Sequence, residues 1–96
     1  MNLFSFTNIL TATTTTPCAG AGVLHSITVN KAVASGVITV YDGPGATGTV
    51  IAKITHPATL LQNQYCLIFD CVFTTSLVIV TGSTDDITVT HRRMSS

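Results

Sequence analysis

Eighteen threonines, ten valines and eight isoleucines make 36 of the 96 residues branched at Cβ, and no other feature narrows the fold as much. Such side chains lose rotamer freedom in a helix and pack well on a pleated sheet. Glutamate is absent, and Lys, Arg, Gln and Met are few, so the residues that build solvent-facing helices are mostly missing. The chain reads as all-β. Its length allows one small domain.

Period-two alternation bounded by turn formers marks the strands. In 23–30, Val23, His25, Ile27 and Val29 alternate with Leu24, Ser26 and Thr28, which assigns the two sets to opposite faces. The segments 36–42 and 48–55 flank Asp42-Gly43-Pro44-Gly45 and read as a hairpin. Residues 56–64 form a long connection with room for one helical turn at 58–61. The run 65–73 is apolar on both faces apart from Asp70, as a central strand covered on both sides would be. Further strands follow at 77–81 and 87–91. The expected architecture is a small antiparallel β-sandwich or jelly-roll-like barrel of about six to eight strands with an N-terminal arm.

The arm is residues 1–16 and the β domain residues 17–96. Leu3, Phe4, Phe6, Ile9 and Leu10 are apolar, but Thr13-Thr14-Thr15-Thr16-Pro17 separates them from the rest with no side chain large enough to anchor a core. Two readings stay open: the arm lies against a neighbouring subunit, or it is an edge strand of the same domain.

Charge excludes more than it suggests. Four basic residues balance four acidic ones for a net charge of zero with neutral histidines, so the basic stripe of a nucleic-acid binder is missing. With 46% apolar and 8% charged residues the chain does not have the composition of a disordered one. No apolar run approaches the roughly 20 residues of a membrane span. Nothing at the N-terminus reads as a secretion signal, and the expected site of synthesis is the cytoplasm.

Catalytic chemistry finds no foothold. His25, His56 and His91 have no metal-ligand spacing. His25 reads as a hydrogen-bonded face residue, His91 as a solvated strand end, and His56 as a loop residue before Pro57. Cys66 and Cys71 are five apart on one strand, face opposite sides, and read as small buried hydrophobes. Cys18 is left to pair with one of them only in an oxidising place. Asp85-Asp86 and Asp42 read as turn devices. Asp70 inside an apolar strand demands a partner or an interface, with Lys53 and Arg92 as candidates. Glycines 43, 45 and 48 lack the lysine and helix of a phosphate loop. Tyr41, Tyr65, Phe69 and Phe73 offer an aromatic platform for a sugar as a minor alternative. No cofactor and no metal is expected.

One resemblance goes further. Gly22-Val23-Leu24-His25-Ser26-Ile27-Thr28-Val29-Asn30, Gly36-Val37-Ile38-Thr39-Val40-Tyr41-Asp42 and Gly48-Thr49-Val50-Ile51-Ala52 resemble a pattern in small virion proteins of tailed bacteriophages. There a strand ending Val-Asn leads to a hairpin whose loop starts Tyr-Asp and whose return begins Gly-Thr. An aromatic-rich strand, a Leu-Val-Ile-Val strand and a terminal Asp-x-Thr-Val-Thr strand follow, here at 65–73, 77–80 and 86–90. One departure is Thr75-Ser76-Leu77, where the pattern has a glycine before the leucine. The resemblance implies a non-enzymatic capsid decoration (cement) protein on the outer head surface of the virion. Its implied partners are other copies of itself, with a trimer favoured, and the phage major capsid protein, without direct nucleic acid or membrane contact. The interface candidates are Leu3, Phe4, Phe6, Ile9, Leu10, Tyr41 and Asp70. The alternatives are a neck or tail connector subunit, and a small carbohydrate- or host-surface-binding module.

Overall fold

A computed structural model describes residues 4–59 and 64–94. They form eight strands: β1 (Ser5–Ile9), β2 (Thr14–Ala19), β3 (Gly22–Lys31), β4 (Val37–Asp42), β5 (Thr49–Thr55), β6 (Tyr65–Phe73), β7 (Ser76–Thr81) and β8 (Asp86–Arg93). β4 illustrates why: Ile38 and Val40 point inward and are fully buried, while Val37, Thr39 and Tyr41 point outward. The strands make two four-stranded sheets, ordered β1-β8-β3-β6 and β2-β7-β4-β5, with every pairing antiparallel. Only the β4–β5 hairpin stays within one sheet; every other connection crosses to the opposite layer. This is a β-sandwich in the strand order of a jelly roll.

Leu24, Ile27 and Val29 from β3 and Ile87 and Val89 from β8 meet Ile38, Val40, Leu77 and Ile79 from the second sheet. All are fully buried, each contributing about 1.5–3 kcal/mol of transfer free energy. Phe73 fills one end, where Gly22 leaves it space. A Cβ on Gly22 would sit 2.4 Å from the Arg92 carbonyl oxygen and 2.7 Å from the Phe73 ring.

Several expectations change. The alternation in β3 breaks at His25, where the ladders to β6 and β8 both shift register between Leu24 and Ser26. The extra residue reverses the phase. Val23 and His25 therefore face outward while Ile27 and Val29, expected on the same side, face the core with Leu24. β6 is an edge strand, not a central one, and alternate residues are exposed along it. Two layers cover only one face of each sheet, so the second apolar set on this strand stays outside.

The N-terminal stretch supplies two edge strands. β1 pairs with β8, and β2 pairs with β7, so the expected boundary after Thr16 falls inside β2. Hydroxyls replace bulk in holding the threonine tract. The Thr81 side chain donates to the Thr11 carbonyl (2.6 Å) and accepts from the Thr13 amide (3.1 Å). Leu3 and the second half of the expected helical turn at 58–61 lie outside the described residues.

Each end of the sandwich is tied by an aspartate. At one, Asp42 accepts from the Thr74 and Thr75 amides, both at 2.9 Å, so it caps the β6–β7 connection rather than its own turn. Those two bonds hold its carboxyl below the usual aspartate range. At the other, Asp85 is buried and accepts the Val33 amide at 3.0 Å.

Candidate interaction face

The first sheet turns one face to the core and the other to solvent, and the solvent face is where the unusual side chains collect. Its polar groups are largely satisfied by one another. At the end near the start of β8, Asn8 donates to Asp86 Oδ1 and the Ile87 carbonyl, both at 2.9 Å. Asn30 donates to the same Asp86 oxygen (3.2 Å) and to the Thr88 hydroxyl (3.1 Å). In the middle the Ser26 and Thr90 hydroxyls are in contact, and the Thr28 hydroxyl donates to Cys66 Sγ at 3.4 Å.

The other end holds an aromatic and ionic cluster. Phe4 stacks on the His25 ring with centroids 4.4 Å apart, and the Arg92 guanidinium lies 5.7 Å from the Phe4 centroid. The other side of His25 is engaged too, its Nδ1–H donating to Asp70 Oδ1. Asp70 occupies the β6 irregularity with φ of 47°, a left-handed conformation that Asp and Asn tolerate better than most residues. Among these polar groups stand large apolar side chains: Phe6 is 72% exposed, Ile68 62% and Val72 58%.

The interface candidates separate accordingly. Phe4, Phe6 and Asp70 share this outer face, whereas Ile9 is buried in the core and Leu10 is exposed just past the end of β1. Tyr41 faces outward on the second sheet. The partner of Asp70 is His25, not Lys53 or Arg92. Cys66, expected to be buried, is exposed beside Thr28, because β6 is an edge; Cys71 is only half-buried. Burial raises the thiol pKa of Cys18 and Cys71, keeping both protonated and poorly nucleophilic. All three cysteines are free.

A second cluster lies inside. His56, read as a loop residue, is buried with Nδ1 3.0 Å from Asp85 Oδ2, at ion-pair distance although misaligned for a hydrogen bond. The opposite nitrogen, Nε2, is hydrogen-bonded to the Tyr65 hydroxyl. Burial, with a smaller contribution from the Asp85 charge, raises the Tyr65 pKa. These three residues join the β3–β4, β5–β6 and β7–β8 connections, and His56 and Asp85 are closed off from solvent. No sequence spacing pointed to this group, since 29 residues separate His56 from Asp85. His91, expected to be solvated, is buried, and desolvation lowers its pKa. Among the described residues no three His, Cys, Asp or Glu side chains gather as a metal site.

The outer face of the first sheet therefore combines mutually bonded hydroxyls and amides with exposed apolar side chains and the His25–Asp70 pair. No family model, no curated protein and no solved structure matches the chain.

Proposed function

We propose that this chain is a non-enzymatic structural subunit of a bacteriophage particle, a decoration protein that binds the outside of the head as an oligomer and stabilises the shell. The observation that carries this reading is the outer face of the first sheet. The sandwich is complete without it, yet Phe6, Ile68 and Val72 stand exposed among polar groups that already satisfy one another. Such a face gains apolar burial when covered and exposes few unpaired polar groups to desolvation. Support also comes from the ordered residue pattern shared with small virion proteins, and from a strand order that recurs in capsid and lectin domains. Fold alone assigns no function. The glycan-binding alternative is disfavoured by the scatter of its aromatics. Tyr41 is on the second sheet, Tyr65 is bonded to His56, and Phe73 is fully buried.

The test is co-sedimentation of the purified protein with assembled shells, with free capsid subunits and with tail tubes. Binding to shells alone is expected, and with so few charges it should persist at about 1 M salt, where the screening length is only ~3 Å. Binding to tail tubes alone would move the protein to the neck or tail. Turnover of a substrate would end the structural reading.

A further inference from the structure

We propose that the two open edges of the first sheet pair between copies: β1 of one chain adds to β6 of the next, continuing the sheet head to tail. This rests on the self-association in the proposed function and specifies how it is achieved. An exposed edge strand presents unpaired backbone groups, and proteins blunt such edges with prolines, charges and bulges. The second sheet is blunted on both sides: β2 carries Pro17 and a register shift between Thr15 and Cys18, and β5 carries Lys53 and a shift opposite Val40 and Tyr41. The first sheet is treated differently. β1 has neither charge nor proline, and β6 has only the interruption at Asp70.

Three independent features make these edges complementary. Direction is the first. Three successive antiparallel pairings separate β1 from β6, so the two run in opposite senses, and a neighbour in the same orientation would form an antiparallel ladder. Length is the second. The Asp70 irregularity leaves 65–69 as the regular part of the β6 edge, five residues to match the five of β1. Phase is the third. Setting Ile9 against Tyr65 places Thr7 against Leu67 and Ser5 against Phe69 on the core side. The same register sets Asn8 against Cys66 and Phe6 against Ile68 on the outer side. The two most exposed large side chains of the face then cover each other. One step further, Phe4 meets Asp70 of the next copy, and Arg92, which overlies Phe4, approaches that carboxylate with opposite charge. A contact between two different edges is heterologous, so it closes only as a ring.

The pairing is read by a mixing experiment. Phe6→Lys spoils only the β1 edge and Ile68→Lys only the β6 edge; both residues point outward, so the thermal melt of each variant should match that of the parent. Each variant alone is expected to lose the oligomer in analytical ultracentrifugation. Mixed, they should form a one-to-one dimer, because the intact β6 of one meets the intact β1 of the other. In a Cys71→Ser background, Asn8→Cys should give an intermolecular disulfide ladder with Cys66 on oxidation, abolished by Cys66→Ser. A parent chain that sediments as a monomer overturns self-association and this pairing together. A parent oligomer that survives both lysine substitutions and yields no ladder overturns the pairing alone, as do lysine variants that dissociate but fail to recombine.

Discussion

Two aspartate–histidine pairs sit in this molecule in opposite surroundings. Asp85 and His56 are both sealed from solvent, 3.0 Å apart, where three chain connections meet. Asp70 and His25 are on the outer face of the first sheet, with Asp70 largely exposed and the His25 ring covered on one side by Phe4. The chemistry is the same and the energetics are not. A buried charge left without its partner retains its full desolvation cost, whereas an exposed one is compensated by water. The inner pair therefore holds the fold, and the outer pair contributes little to it.

The most direct way to break that contrast is Asp85→Ala. It strands the His56 ring and the Val33 amide, which Asp85 now holds at 3.0 Å. A loss of about 3–5 kcal/mol is expected in denaturant unfolding. An unfolding midpoint near that of the parent would mean that water reaches the site and that the two pairs do not differ as described.

Gly36→Ala sharpens the same point from the other side of the pair. A Cβ there would lie 2.8 Å from Asp85 Oδ1 and 3.0 Å from the Val33 carbonyl oxygen, pushing the carboxylate away from the amide it caps. A loss of about 1–3 kcal/mol is expected by the same measurement, typical of overpacking at a closed site. No positive φ is involved, so the effect isolates the crowding of Asp85.

How much of this was legible in the sequence follows from the range of the interactions. The strands of the β4–β5 hairpin were readable because turn chemistry and alternation are local, and the β-branched composition made the all-β class unavoidable. Strand order was not readable, because crossings between layers depend on contacts between distant segments. The threonine tract at 13–16 looked too small to anchor anything, but its hold comes from a hydroxyl 68 residues away, at Thr81. The phase of β3 was misread because a one-residue irregularity opposite Asp70 leaves no mark on a hydrophobic pattern. Asp70 itself did stand out, as a carboxylate in an apolar run. His56 and Asp85 did not, since each sits among ordinary loop residues and only the fold brings them together.

The third histidine tests what burial does without a carboxylate. His91 Nε2 is 3.1 Å from the Thr7 hydroxyl, and its buried Nδ1 has no partner. Protonation would put a donor there with nothing to receive it, and desolvation lowers the pKa from its ordinary value. The unfolded chain then binds the proton more readily than the folded one. Stability from this group is complete above the unfolded value of about 6.5 and falls as the pH drops through it toward the lower folded value. The expected outcome is a steeper loss of stability as the pH falls below about 6.5 in the parent than in His91→Leu, followed by thermal melts. Equal slopes would mean that the ring is hydrated in solution.

The smallest expected effect on stability belongs to the outer pair. Asp70→Asn keeps a residue that tolerates the left-handed backbone at φ 47° and removes only the charge facing His25. An exposed pair of this kind contributes about 0.2–1 kcal/mol, so the unfolding midpoint should barely move. Association should respond more, because in the proposed β1–β6 pairing the next copy's Arg92 would lose the carboxylate it approaches. A weaker oligomer with an unchanged fold would divide the two pairs cleanly: one aspartate needed to stay folded, the other needed to be joined. A variant that unfolds while still associating would reverse the roles assigned to them, and would make Asp70 a clamp on the β6 irregularity instead.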